Sequence, residues 1–206
     1  MPRLADFLRQ FPRLNLRCIT VPVKASTMPA NTDLAVFFIE HRHPGKCVET
    51  LVELEVFPVR APSLTADTHP LSLDALQDAV LIHEDDGEFW ARWFSAVGAE
   101  QFATTRAVYV ESTHAALALA SADGGFAIND AFKGGLLLRE GRLVKPFGAM
   151  LASQGRYVLM TYPQPRNNAA ADAFEQWLRR QVASRRRFPP NARCSAFEVR
   201  AFAPNT

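Results

Sequence analysis

The stretch YVESTHAALALASADGGFAIN, residues 109–129, decides the fold of this chain. The run from Ala107 to Val110, which leads into it, is β-branched and aromatic and predicts a strand. Ser112 and Thr113 are residue types that favour the N-terminal cap of a helix, and the Ala- and Leu-rich residues 115–122 predict that helix. The stretch therefore begins as a strand that leads directly into a helix.

The second half of the same stretch returns to a strand. Gly124 and Gly125 end the predicted helix, and Phe126 to Ile128 form the next strand. A strand that ends at a helix N-terminus is where α/β proteins tend to bind small ligands. Ser112 and Thr113 are therefore either ligand contacts or simple N-caps, and the sequence leaves both interpretations open.

The composition is that of an ordinary globular protein. Hydrophobic residues make up 48% of the 206 and charged residues 21%, which suits one domain or two small lobes. The net charge of +2 argues against a general affinity for nucleic acid. The arginines clustered in residues 179–187 predict a solvated helix end.

The cysteines and the N-terminus predict a cytoplasmic location. Cys18, Cys47 and Cys194 are odd in number and widely spaced, which suits a reducing compartment better than a disulfide scaffold. No apolar run approaches the ~20 residues that span a bilayer. The first residues also lack the apolar core of a signal peptide. We therefore expect no contact with a membrane.

Strand and helix patterns alternate along the rest of the chain. The apolar spacing in residues 4–11 predicts a helix that Pro12 ends, and residues 33–39 are typical of a parallel strand covered on both faces. Residues 89–97 predict an aromatic helix that packs in the core. Further strands are predicted at 14–21, 48–58, 79–83, 142–147, 157–162 and 196–202, and further helical segments at 70–76, 130–140 and 167–183. This alternation predicts an α/β protein with mostly parallel sheets.

Two short proline-bearing segments, residues 59–63 and 160–163, bracket the middle of the chain. If both are hinges, residues 63–161 form a second lobe, lobe II. Lobe I is then discontinuous and consists of residues 1–62 and 162–206. Two lobes create a cleft, which is a common place for a small molecule.

No pattern predicts catalysis or a metal centre. His41, His43 and Cys47 supply three potential ligands, with no second pair to complete a tetrahedral site. Ser112 and His114 lie on one helical turn and point in different directions, so the imidazole does not activate the hydroxyl. We expect a protein that is not an enzyme and that uses no cofactor and no metal.

Several short motifs, in their order and spacing, resemble a known family. They are FPRLNLR at 11–17, DLAV at 33–36, ETLVELEVFPV at 49–59, LIH at 81–83, Trp90 and Trp93 before Gly98, LREGRLV at 138–144, YVLMTYP at 157–163 and FEQWL at 174–178. Over residues 3–182 they resemble the effector-binding domain of LysR-type transcriptional regulators, in the glycine-cleavage-activator branch.

The resemblance implies a fold and partners. The fold is of the type-2 periplasmic-binding-protein kind, with two Rossmann-like lobes, two crossover hinges and a small-molecule effector in the central cleft. The domain pairs as a dimer or higher oligomer, and DNA is contacted only through a winged helix-turn-helix domain. The implied dimer surface faces the helix after Thr113 in a second copy and comprises Leu4, Phe7, Phe11, Leu14, Leu16 and Cys18.

The effector is expected to be small and anionic. Ser112 and Thr113 would offer it hydroxyl and backbone N–H groups, with the helix dipole adding ~0.3–1 kcal/mol. The other residues predicted to line the site are Asn129 and Asp130, Phe37 and Phe38, Lys24 and Ser26, and Ala61 and Ser63. Core packing is the alternative role for Phe37 and Phe38.

The chain departs from the family pattern in three ways. The winged helix-turn-helix and linker helix are absent from this sequence, and so is the first strand of lobe I, whose end normally helps to form the effector site. GFAIND at 125–130 stands where the family has an apolar GIALLP-like strand, so we expect an unusual ligand preference. Two other functions stay open: a solute-binding protein of the same fold, and a truncated or degenerate regulator fragment that acts only as a dimerisation partner.

Overall fold

The computed structural model describes residues 4–19, 32–40, 48–64, 71–102, 106–161 and 168–185. The predicted loop at 41–47, the predicted strand at 196–202, and Lys24 and Ser26 lie outside these residues. The chain packs as two units, Met1–Val52 with Tyr157–Thr206 (unit 1) and Glu53–Arg156 (unit 2). The predicted lobe boundaries, at residues 62 and 161, remain a prediction.

The described residues contain five α-helices and six strands. The helices are α1 (Leu4–Gln10), α2 (Glu88–Ala96), α3 (Thr113–Ser121), α4 (Gly135–Arg139) and α5 (Ala169–Arg185). The strands are β1 (Leu34–Ile39), β2 (Val48–Val59), β3 (Val80–His83), β4 (Arg106–Tyr109), β5 (Phe126–Asp130) and β6 (Leu151–Thr161). Pro62–Leu64 and Leu73–Leu76 are short 3-10 helices.

The sheet has the strand order β1-β6-β2-β5-β3-β4. β3 runs parallel to both β4 and β5, whereas β2 runs antiparallel to β5. The sheet is therefore mixed, and the expectation of mostly parallel sheets is corrected. The parallel pairings described here join β3 to β4 and to β5, the two strands of the strand–helix–strand stretch.

Unit 2 has a core on each face of its strands because successive side chains of a strand point to opposite faces. In β5, Ala127 packs with Ala116 and Ala120 of α3, while Phe126 and Ile128 pack on the other face. That second face is the aromatic one, formed with Leu76, Leu81, Trp90, Trp93, Phe94 and Phe147. The prediction that the aromatic stripe of α2 is core is confirmed.

Unit 1 is held by aromatic contacts between α1 and α5. Phe7 is fully buried, with its ring centroid 5.1 Å from that of Phe174 and 5.2 Å from that of Trp177. The Oδ1 atom of Asn168 accepts hydrogen bonds from the N–H groups of Ala170 and Ala171 and so caps α5. Arg179 of α5 pairs with Glu49 and Glu175.

Four predicted elements differ in the structure. Residues 14–19 are irregular rather than a strand, since no described strand pairs with them and an unpaired strand leaves its backbone groups unsatisfied. Residues 142–147 contribute only one bridge, between Val144 and Arg60. Residues 131–134 form a turn, which leaves α4 with five residues. β1 stands at the end of the strand order and is mostly half-buried, so it is not covered on both faces.

In the described part of the chain, no helix has the length and apolar character that a membrane crossing requires. Over the same residues, no group of three or more His, Cys, Asp or Glu side chains is placed to hold a metal ion.

Candidate functional site

The candidate site lies where the parallel strands of unit 2 end. Since β3 runs parallel to β4 and β5, the carboxyl ends of all three lie at one edge of the sheet. Glu84 follows β3, Ser112 and Thr113 follow β4, and Asn129 and Asp130 end β5. The junction between β4 and α3, at Ser112 and Thr113, is therefore next to the ends of β3 and β5, at the kind of edge where α/β proteins bind ligands.

Thr113 is the centre of a polar cluster at this edge. Its hydroxyl donates to Oε2 of Glu84, and its oxygen accepts a hydrogen bond of 2.9 Å from Nζ of Lys133. We refer to Glu84, Thr113, Asp130 and Lys133 as the strand-end cluster. Because the Thr113 proton is given to Glu84, the hydroxyl is not a free donor for an anion as the sequence had suggested.

Asp130 shapes the turn that carries Lys133. The Oδ1 atom of this buried carboxylate accepts hydrogen bonds from the backbone N–H groups of Phe132, at 2.6 Å, and Lys133, at 2.8 Å. A carboxylate that bonds backbone N–H groups a few residues ahead fixes a tight turn. Asp130 therefore has a structural role and also places a negative charge within the strand-end cluster.

Glu84 has an unusual electrostatic environment. Burial raises the pKa of its carboxyl, and the negative charges of Asp130 and Asp85 act in the same direction. The hydrogen bond from Thr113 and the charge of Lys133 lower this pKa in part. A carboxylate kept partly desolvated by its surroundings is a common feature of ligand sites.

Asn129 is the second buried polar residue at the end of β5. Its side chain is 3% exposed, and neither Oδ1 nor Nδ2 has a hydrogen-bond partner within the described chain. Its Nδ2 would lie 1.9 Å from a Cβ atom added at Gly134, so a larger residue there would force the amide to move. An unsatisfied buried amide costs roughly 1–3 kcal/mol, and such groups usually meet water or a ligand.

Ser112 is the N-cap of α3. It has extended backbone angles (φ −151°, ψ 146°), and its Oγ accepts a hydrogen bond of 3.2 Å from the N–H of Ala115. The side chain is exposed. The capping role predicted for Ser112 is confirmed, and its role as a ligand contact stays a prediction.

The predicted hinge residues have structural roles. Ala61 is buried, and its N–H donates to the carbonyl of Ala120 at 3.1 Å. Ser63 is exposed and donates from its Oγ to a carboxylate oxygen of Asp123. Neither belongs to the strand-end cluster.

Phe37 and Phe38 lie in unit 1 and follow the packing alternative. Phe37 is 7% exposed, and the ring of Phe38 packs edge to face on Tyr157 with centroids 5.5 Å apart. Their assignment as effector contacts remains untested, as does that of Lys24 and Ser26.

The residues of the predicted dimer surface divide into buried and accessible groups. Phe7 is fully buried within unit 1, so it has no surface to offer a partner. Leu4, Leu14 and Leu16 are half-buried, whereas Phe11 and Cys18 are exposed. The exposed part of the predicted surface is therefore smaller than the sequence suggested.

One groove in unit 2 is lined by none of the residues of the strand-end cluster. It has a volume of about 300 Å³ and is lined by Val56, by Phe89, Arg92 and Ser95 of α2, and by residues 151–154. None of the residues predicted for the effector site lines it. The candidate site is assigned to the strand-end cluster and not to this groove, because the described lining of the groove contains no cluster of interacting charged side chains.

Sequence reasoning missed Glu84 and Lys133. Glu84 follows a buried strand in the same way that Ser112 follows β4, so the rule that selected Ser112 also selects it. The neighbouring His83 is a packed histidine: it is 8% exposed, and its ring stacks on that of Tyr109 with centroids 4.7 Å apart. Lys133 could not be chosen because the sequence predicted a helix there.

The chain resembles known regulators in sequence. A family model described as the LysR substrate binding domain matches residues 1–183. The chain is 30% identical over 185 residues to the HTH-type transcriptional activator AmpR of Rhodobacter capsulatus, covering 89% of this chain and 62% of the relative. It is 25% identical over 194 residues to the HTH-type transcriptional regulator DsdC of Escherichia coli K12, covering 88% and 61%. The chain thus spans about three fifths of the length of these relatives.

Solved structures show the same fold. The effector domain of the transcriptional regulator AmpR of Pseudomonas aeruginosa superposes with a TM-score of 0.68 at 27% identity, covering 89% of this chain and 88% of that one. The AmpR effector binding domain from Citrobacter freundii gives a TM-score of 0.69 at 23% identity, covering 89% and 90%, which is a likeness of fold alone. The predicted fold class, type-2 periplasmic-binding-protein-like, is confirmed.

Proposed function

The chain belongs to the LysR substrate binding domain family, and from that premise we propose that it senses a small metabolite effector for a LysR-type transcriptional regulator. The proposed binding place is the strand-end cluster with the N-terminus of α3. The observation that carries the proposal is the convergence of Glu84, Thr113 and Lys133 at the ends of parallel strands. The curated relatives are regulators and not enzymes, which favours sensing over catalysis or solute transport.

The ligand is proposed to carry an anionic group that binds at α3. The first N–H groups of a helix have no acceptor inside the helix, and the helix dipole places partial positive charge there. Among the described residues, the N–H groups of α3 in this position are those of Thr113 and His114, because Ala115 donates to Ser112 Oγ and Ala116 to the Ser112 carbonyl. Two parallel N–H groups suit a carboxylate.

The regulator is proposed to act as a dimer or higher oligomer in the cytoplasm, in the glycine-cleavage-activator branch of the family. Ligand binding would favour one conformation of the domain over another and so bias the oligomer. We propose that DNA is contacted by a helix-turn-helix domain and not by residues of the matched domain. Purified residues 1–206 should therefore give no sequence-specific shift of operator DNA in a gel assay, and such a shift would contradict this assignment.

Effector sensing is tested by a thermal-shift screen of small carboxylates, amino acids and dipeptides on the purified chain. A ligand present at 100 times its Kd stabilises the folded state by about 2.7 kcal/mol, which raises the Tm by several degrees. We expect at least one compound to do so. A folded sample that no compound stabilises, but that dimerises by light scattering, would favour a fragment that acts only as a dimerisation partner.

A further inference from the structure

We infer that the groove between α2 and β6 is a second small-molecule site, and that it binds a small carboxylate with an apolar body. The groove has a volume of about 300 Å³, and its described lining belongs to unit 2 and includes none of the strand-end cluster. This site is therefore separate from the proposed effector site. Its ligand class follows from the space in the groove, from its apolar wall and from Arg92.

Small side chains leave the space between the helix and the strand. Phe89, Arg92 and Ala96 are three and four residues apart, so they lie on one side of α2, whereas Trp93 is fully buried in the core. Ala96 and, in β6, Ala152 are exposed, and each contributes only a methyl group to the lining. Ligand pockets have volumes of roughly 300–1,000 Å³, so this groove suits a small molecule and not a folded partner.

One wall of the groove is apolar. Val56, Phe89 and Leu151 are half-buried, and all three pack against the aromatic core of unit 2 while they also line the groove. The core holds these side chains in place, so the wall exists before a ligand arrives. Moving apolar surface from water onto such a wall is favourable, and we therefore assign an aromatic ring or a short aliphatic chain to one part of the ligand.

Arg92 supplies the charge that selects a carboxylate. The central carbon of its guanidinium lies 4.9 Å from the centroid of the Phe89 ring, and within the described residues Arg92 has no carboxylate partner. The hydroxyl of Ser95, which also lines the groove, donates to Glu100 at 3.0 Å, so Arg92 is the donor that we assign to the ligand. A guanidinium binds a carboxylate through two parallel N–H groups, which fixes the orientation of the ligand.

The test titrates the purified, isotopically labelled chain with phenylacetate and follows the backbone amide signals by NMR. Phenylacetamide, which has no charge, and acetate, which has no ring, are the matched probes. Arg92→Gln removes the guanidinium, and Ala152→Leu fills the groove while it keeps Arg92. Arg142→Gln is the control, because Arg142 is exposed in the same unit, lies outside the described lining and removes the same charge.

We expect phenylacetate to shift the amide signals of residues 89–96 and 151–154 in a saturable way, in the wild type and equally in Arg142→Gln. Phenylacetamide and acetate should bind about tenfold more weakly or less, and Arg92→Gln and Ala152→Leu should each lose about tenfold or more in affinity for phenylacetate.

Three results would overturn the inference: no saturable shift in the groove, undiminished binding to Arg92→Gln, or shifts confined to the amides of Thr113, His114 and Lys133. The last result would place the carboxylate at the proposed effector site. The first two leave that site untouched, since none of its residues lines the groove.

Discussion

The aromatic face of unit 2 and the aromatic contacts of unit 1 are built from similar residues but packed differently. In unit 2, Trp93 is fully buried and its ring meets those of Trp90, Phe94 and Phe147 beneath a sheet. In unit 1, Phe7 is also fully buried, yet its neighbour Phe11 is 36% exposed and the next residues are irregular. Full burial of one ring therefore does not show that the region around it is tightly packed.

The largest expected effect tests this comparison by cavity formation. Trp93→Ala should lower the free energy of unfolding by about 4–5 kcal/mol, because neighbours fixed on every side cannot fill the space. Phe7→Ala should cost less, about 2–3 kcal/mol, since α1 ends beside solvent and can relax toward the cavity. Urea denaturation of both variants measures the difference. Equal losses would show that the two regions are equally well supported.

The next effect concerns the end of α3 that faces the candidate site. Ser112→Ala removes the acceptor for the Ala115 N–H and should destabilise the chain by about 1 kcal/mol. Ser112→Asp restores an N-cap and adds a charge that suits the helix dipole, so it should keep wild-type stability. That added charge should nevertheless repel an anionic ligand. Thermal unfolding measures the stability of both variants, and a stability for Ser112→Ala equal to that of the wild type would contradict the capping role.

Glu84 adds an electrostatic cost to unit 2, the better packed unit. Its carboxyl belongs to the candidate site, and burial disfavours its charged form. Burial raises the pKa of Glu84, so the folded chain retains a proton at pH values where the unfolded chain has lost it. The stability from this protonation is full below the ordinary value of 4.5 and is lost as the pH rises through the raised folded pKa.

Glu84→Gln should therefore gain stability relative to the wild type as the pH rises above about 4.5, because the amide has no charged form for burial to disfavour. Urea denaturation at several pH values measures it, with Glu111→Gln as the control that should show no such trend. If instead the stability of the wild type rises relative to that of Glu84→Gln as the pH rises, the partners of Glu84 stabilise its charged form and the prediction is wrong.

The smallest expected effect lies in unit 1. Arg179 pairs with Glu49 and Glu175, and these carboxylates raise the pKa of its guanidinium. The side chain is 38% exposed, so solvent and salt screen the pairs. Arg179→Gln should cost less than about 1 kcal/mol in low salt and less still in 0.5 M NaCl, as measured by thermal unfolding. A loss above 2 kcal/mol would contradict this ranking.

The fold was largely predictable because its strongest signals are local. The spacing of the aromatic residues in α2, the cap at Ser112 and the stop at Gly124 each depend on residues a few positions apart, and all three are present in the structure. The strand predicted at 14–21 was wrong for residues 14–19 because a strand depends on a partner elsewhere in the chain. The continuous apolar run of β1 predicted a strand covered on both faces. The run does not determine the strand order, which leaves β1 at the end.

The candidate site was predictable only in part. Ser112, Thr113, Asn129 and Asp130 were found because a helix cap and the end of a strand can be recognised from neighbouring residues. Glu84 and Lys133 lie 29 and 20 residues from Thr113 along the chain, and only the parallel register of β3, β4 and β5 brings them to it. The contrast between Asn129, without a described partner, and Asp130, bonded to its own turn, also required the structure.

The most direct measurement of the central claim is the ligand-induced shift in Tm for three versions of the chain, with a compound that stabilises the wild type. Ser121→Ala is the matched control, because Ser121 lies at the far end of α3 and its hydroxyl bonds only locally, to the Ala118 carbonyl. We predict that the compound raises the Tm of the wild type and of Ser121→Ala equally, and leaves that of Ser112→Asp unchanged. An undiminished shift in Ser112→Asp would contradict a ligand site at the N-terminus of α3.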